Sequence, residues 1–290
     1  MSFGREPAAP RHFPGPFTAF ALTLGSVFAA VIATRFVMLF FGVGPSLSSL
    51  GIGEALGVGG IATFAATKVA EPQRERLGLR SFDASFIPWL IMLLPAIVVV
   101  SELDNVLQTF MPPPEIPEEL KRLQEEFMGV GALATFETAV VAVGISPVVE
   151  EWLFRGVIQQ GLVAHLARVR GVLLTAGLYA IVHVGPAPSA PATLSPFLAS
   201  LLLGVVLGTV RLATGSVLAP MLLSAGVSAL GVLAMKVPIE GLSAPGSHTS
   251  MGLLLPSLAG VAWAMHAMTQ QARQAPIALP LPDEQSDSEG

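Results

Sequence analysis

Two short stretches of the chain combine residue types that can do chemistry with a spacing that lets them do it. In ISPVVEEWLFRGVIQQGL, Glu150 and Glu151 are adjacent at the end of an apolar run, and Arg155 lies four residues beyond Glu151. On a helix, residues four apart share a face, while neighbours are turned by about 100°. Arg155 can therefore neutralise Glu151 and leave Glu150 free to work. A carboxylate partly withdrawn from water beside a second one is suited to act as a general base near neutral pH. The second stretch, LYAIVHVG, sets Tyr179 and His183 at i and i+4 on an otherwise apolar helix. A short return loop would bring that imidazole to the depth of the carboxylates. Glutamate and histidine in an apolar wall can hold and polarise a water for attack on a carbonyl, or bind a divalent metal, although two ligands are too few for a typical zinc site. The chain has no cysteine, which removes disulfides, thiolate nucleophiles and Cys-ligated metal centres from consideration. Further ionisable residues fall within apolar runs, among them Arg35 and Glu54. Arg35 is placed to snorkel to the membrane surface, and Glu54 is read as a structural residue, with membership of an ion pathway as its other role.

These groups must be positioned in lipid. Of 290 residues 52% are hydrophobic and 12% charged, about half the charge of a soluble domain, and the mean hydropathy is +0.70. Apolar runs occur at residues 17–43, 46–70, 86–100, 130–149, 172–184, 194–212, 217–235 and 251–268. Most approach the ~20 residues a helix needs to cross a bilayer. The pattern predicts an all-α polytopic transmembrane helical bundle of about eight spans. The first run is longer than a signal-peptide core and is read as a retained helix. The second is rich in small residues, Gly51, Gly53, Gly57, Gly59 and Gly60, which let helices approach closely in lipid. The fourth run continues without a break through the carboxylate motif, so one helix carries on past the apolar core.

The organisation expected is a cytoplasmic N-terminal segment at 1–16, a transmembrane bundle at 17–270 and a disordered acidic tail at 271–290. The polar stretch 101–129 reads as a solvated connector containing a short surface helix. With both termini inside, the cytoplasmic side receives Arg5, Arg11, Lys68, Arg74, Arg76, Arg80, Arg155, Arg168, Arg170, Arg211 and Arg273. The other side keeps Lys121, Arg122 and Lys236, plus Arg35 within the first span. That bias predicts a multi-pass protein of the plasma (inner) membrane with both termini cytoplasmic. The net charge of −5 offers nothing to nucleic acid, and the partners expected are the lipid bilayer and a membrane-associated peptide or protein.

Taken together, these motifs resemble the CPBP (CAAX protease and bacteriocin-processing, or Abi) family of intramembrane glutamic endopeptidases. That family shows Glu-Glu-x-x-x-Arg, then aromatic-x-x-x-His, then His-x-x-x-Asn/Asp on successive parts of a helical bundle. The first motif is present in full as Glu150, Glu151 and Arg155, with Phe154 and Gly156 also similar, and the second as Tyr179 and His183. LLLGVVLGTVRLATGSVLAPMLLSA and the early RERLGLR are similar too, so the resemblance runs from about Arg74 to Leu230. The third motif departs: four and eight residues beyond Pro220 stand Ser224 and Ser228 instead of histidine and asparagine or aspartate.

The resemblance implies hydrolysis of a peptide bond at the cytoplasmic membrane face by glutamate-activated water, with no cofactor and no metal. In that scheme Glu150 is the base, His183 helps position water, Glu151 and Arg155 orient the site, and Ser224 and Ser228 serve as weak oxyanion donors. Loss of one such donor typically slows an acyl-transfer enzyme by ~10²–10³. A catalytically impaired member that binds a membrane peptide or partner is therefore the alternative, and a transporter using Glu54 the second alternative. A prenylated protein and a bacteriocin-like peptide are equally compatible as substrates.

Overall fold

The computed structural model describes residues 12–112, 118, 131–184, 190–234, 237 and 247–274. The N-terminal segment up to residue 11, nearly all of the surface helix expected after the proline cluster, and the tail from residue 275 lie outside the described residues. The elements are α1 Pro16–Phe41, α2 Leu47–Ala66, α3 Gln73–Arg76, α4 Ile87–Leu93, α5 Ala96–Phe110, α6 Ala132–Ala139, α7 Ser146–Glu151, α8 Gln159–Val182, α9 Ala190–Thr214, α10 Leu218–Ala234 and α11 Met251–Gln274. Wider π-type turns, Val140–Ile145 and Trp152–Ile158, join α6 to α7 and α7 to α8.

Among the described residues, six helical stretches are long and apolar enough to cross a bilayer: Pro16–Phe41, Leu47–Ala66, Ala84–Phe110, Ala132–Val182, Thr193–Thr214 and Met251–Gln274, with Leu218–Ala234 shorter. The difference from the eight apolar runs lies mainly in the fourth stretch, which absorbs two of them. It breaks at Ala167, where φ is 63° and ψ 172°. The chain folds back there, because a Cβ on Gly171 would sit 2.7 Å from the Cα of Val163, a contact that a straight helix forbids at eight residues' separation. The helix through the carboxylates thus overruns the apolar core and returns. The run expected to end at residue 100 also continues, as α5, to Phe110. Its polar residues are held by other elements: Glu102 accepts from the Thr249 amide at 2.8 Å and pairs with His248, and Asp104 accepts from Ser195. Likewise α11 reaches Gln274, four residues into the segment assigned to the tail.

The hairpin of α1 and α2 shows how lipid inverts the packing rule of water-soluble helices. On α1 the outward residues are large, with Phe17 84%, Leu39 84% and Phe28 67% exposed, while Ala19, Thr23, Ser26 and Thr34 are buried. Lipid tails are as apolar as leucine, so association comes from close van der Waals approach of small residues. Gly57 of α2 meets the backbone of Ala29 and Ala30, and Gly53 meets Thr34; a methyl group at either would overlap α1. The inward hydroxyls satisfy themselves on their own helix, Thr23 donating to the carbonyl of Ala19 at 2.9 Å and Ser26 to that of Thr23 at 2.8 Å.

Among the described residues three apolar clusters fill the bundle, the smallest of them Ala65, Ala66, Val69, Leu77 and Val157; the other two hold the site in place. One joins Leu90 and Leu93 of α4 to Leu207, Val210, Leu223 and Met268 of α9, α10 and α11. The other gathers Leu153, Phe154, Ile158 and Leu162 with Leu178 and Tyr179, closed by Ala19 and Ala62 from the hairpin. The RERLGLR loop locks onto the junction of α9 and α10. Arg80 Nε donates to the Gly215 carbonyl at 3.1 Å, Ser216 Oγ to that of Arg80 at 2.5 Å, and the Val217 amide to that of Gly78 at 3.0 Å.

Candidate active site

The carboxylates sit on the single α-helical turn α7, between the two π-type turns. Pro147 stands in its first turn, where the missing N–H costs nothing. π-type turns inside α-helices are rare and gather at functional sites, and here one lies on each side of the carboxylate pair.

Glu151 turns into the bundle. Its carboxylate accepts from Arg155 Nη1 at 2.7 Å, and both side chains are 0% exposed. Arg155 also donates through Nη2 to the Gly204 carbonyl at 3.2 Å, and its guanidinium lies 4.3 Å from the ring centroid of Tyr179. One turn on, Gln159 donates to the Gly208 carbonyl at 2.8 Å. The Gly204 and Gly208 pair on α9 makes this possible, since a Cβ at Gly208 would lie 3.1 Å from the Gln159 amide oxygen. Arg211 closes the layer by donating to the carbonyls of Arg155 at 3.2 Å and Arg76 at 3.1 Å. Arg155, expected among the basic residues of the cytoplasmic side, is therefore sealed in the bundle. Its charge is neutralised by Glu151, so it carries no topological information.

Glu150 turns the other way. Its Oε1 lies 3.3 Å from His183 Nε2, and the two side chains keep 19% and 28% exposure respectively. His183 Nδ1 lies 2.8 Å from the Tyr179 carbonyl. A carbonyl can only accept, so Nδ1 carries a proton and Nε2 is the nitrogen presented to Glu150. Tyr179 lies close enough to act on the same carboxylate, and its ring packs at right angles on Phe154, centroids 5.3 Å apart. Glu150 and His183 thus form a carboxylate–imidazole pair that can pass a proton between them, open on one side and anchored on the other.

Ser224 is buried and Ser228 half-buried on α10, which packs against α7 and the π-type turn before it. Among the described residues no hydrogen bond joins either serine to Glu150 or His183. The structure instead brings in a residue that sequence reasoning had read as structural. Ser146, one helical turn before Glu150 on the same face, donates to Glu54 Oε2 at 2.6 Å. Glu54 reaches the site because α2 runs parallel to the carboxylate helix, with Gly51 opposite Val141 and Gly59 opposite Val149. Its one sequence signal was a carboxylate among glycines. Among the described residues no three histidine or carboxylate side chains converge as a metal-binding group.

The fold and this geometry define a helical membrane bundle with a carboxylate–imidazole site inside it. Residues 132–230 match the family model described as Rce1-like, type II CAAX prenyl endopeptidase Rce1-like, and that match supports membership of the CPBP/CAAX protease family. The matched segment is about a third of the chain and contains Glu150, Glu151, Arg155, His183, Ser224 and Ser228. Neither the curated proteins nor the solved structures compared with the chain gave a match. Over that segment the match supports a CAAX-type intramembrane protease at family level.

Proposed function

We propose that this protein is an intramembrane endopeptidase in which Glu150 acts as general base on the hydrolytic water and His183 shares the proton. The observation that carries the reading is the 3.3 Å Glu150–His183 pair. Water held between the two would lose a proton as it attacks the peptide carbonyl, and the same proton would pass to the departing amine. Glu151 and Arg155 act through position: their buried ion pair fixes the rotation of α7 and so the direction of Glu150. The substrate is a membrane-anchored peptide or protein, in keeping with the prenyl endopeptidases of the matched family. The basic residues of the loops support a plasma (inner) membrane setting with both termini cytoplasmic.

A second reading has its own observation. Ser224 and Ser228 stand where the resemblance calls for histidine and asparagine or aspartate, and among the described residues neither bonds the pair. A member lacking strong oxyanion donors would bind a membrane peptide without cleaving it quickly. One experiment separates the two: purified protein with membrane-anchored peptides, prenylated and unprenylated, comparing wild type, Glu150→Ala and Ser224→His/Ser228→Asn. Cleavage by wild type that vanishes in Glu150→Ala supports the protease. Cleavage by the double variant alone supports the binder. Activity in Glu150→Ala equal to wild type removes the proposed base.

A further inference from the structure

Between α1 and α2 lies a cavity of about 430 Å³, bordered by Thr34, Arg35 and Met38 on one helix, Ser49 and Glu54 on the other, and Pro45 of the connecting turn. Its lining is mixed: a guanidinium, a carboxylate and two hydroxyls stand among apolar side chains. Ionisable groups at membrane depth are costly unless paired or hydrated, so Arg35 and Glu54 call for water in a cavity whose other walls are largely apolar. The volume would take on the order of ten water molecules. The cavity borders the α1–α2 turn at one end and Glu54 at the other. Behind Glu54 comes Ser146, bonded to it at 2.6 Å, and one helical turn further Glu150. Glu150 and His183 are both close enough to act electrostatically on Glu54. Toward the basic loops, Glu151, Arg155, Gln159 and Arg211 form a layer at most 8% exposed.

We propose that the α1–α2 cavity is the entry site for water to the Glu150–His183 pair, with Glu54 and Ser146 as positioning residues at its inner end. The proposal rests on the reading of Glu150 as the base, but water access itself can be measured without activity. The α1–α2 hairpin lies outside the matched segment 132–230, so this chain brings its water through its own N-terminal helices. Water enters at the α1–α2 turn, the end of the bundle away from the RERLGLR loop.

The chain contains no cysteine, so single cysteines report without background. Ser49→Cys and Glu54→Cys would be reconstituted in lipid vesicles and exposed to a charged thiosulfonate reagent that does not cross bilayers, with the lipid-facing Phe28→Cys as control. The expected result is rapid labelling of S49C and E54C from the side of the α1–α2 turn, with F28C unreacted. In cleaving protein, Glu54→Leu should lower kcat by about 10²-fold, the scale of a misplaced reacting group, with KM unchanged. Glu54→Gln, which keeps an acceptor for Ser146, should recover part of that loss. Failure of both S49C and E54C to react would mean that lipid fills the cavity and would overturn the inference, as would an unaltered kcat in Glu54→Leu. A wild type that cleaves nothing would sink the protease reading alone, leaving the labelling to decide the cavity.

Discussion

Glu151 is fully buried beside Arg155, whereas Glu150, one residue earlier, keeps 19% of its side chain exposed and faces an imidazole that keeps 28%. The two residues are chemically identical and differ only by the ~100° that separates neighbours on a helix. On the sealed side every partner serves rigidity: a salt bridge, two glycine carbonyls, an aromatic ring beside the guanidinium. On the open side the partner is an imidazole, a group able to exchange protons. The difference teaches that a doubled carboxylate can divide labour, one holding the turn in place and the other left free for chemistry.

Breaking the open side should produce the largest effect. Glu150→Gln keeps the shape but removes the proposed base, and kcat for peptide cleavage should fall by about 10²–10⁴. Thermal denaturation should hardly move. Equal loss of stability and activity would show that Glu150 is structural after all. The sealed side should respond in the opposite currency. Arg155→Met leaves Glu151 buried without a counter-charge, and breaking such pairs costs ~3–5 kcal/mol. The denaturation midpoint in detergent should drop sharply, and adding Glu151→Gln should restore part of it. A variant as stable as wild type would show that the pair contributes nothing to the fold.

Smaller changes sharpen the same contrast. Gln159→Leu removes the donor to the Gly208 carbonyl, and an unsatisfied buried acceptor costs ~1–3 kcal/mol, again in stability with little change in KM. Tyr179→Phe keeps the ring against Arg155 and Phe154 while removing the hydroxyl near Glu150. A single hydrogen bond is worth about 1 kcal/mol, so the change should slow cleavage by less than ~10-fold and leave unfolding unchanged. A stability loss in that variant would assign the hydroxyl to the sealed side.

Some of this site was legible beforehand because helices encode local spacing. The four-residue separations of Glu151 with Arg155 and of Tyr179 with His183 are helical contacts, and both are made. The approach of His183 to Glu150 was legible only as two motifs one span apart, since nothing local states which way two helices rotate toward each other. Glu54 was harder still: its partner Ser146 is 92 residues away, and the pairing depends on glycines that let α2 lie against the carboxylate helix. The burial of Arg155 was invisible for the same reason. A basic residue just past an apolar run reads as interfacial until Gly204 and Arg211 arrive from α9 to enclose it.

By itself, the sequence determined that the chain lives in lipid as a set of helices, because long apolar runs can satisfy their backbone groups there only by helix formation. It also determined which residue types could do chemistry and their order along the chain. Tertiary structure alone decided which carboxylate is sealed and which is open, where the long fourth stretch folds back, and that Glu54 joins the site. Those outcomes depend on close packing between helices, and in a bilayer that packing is set by where small residues allow two backbones to meet.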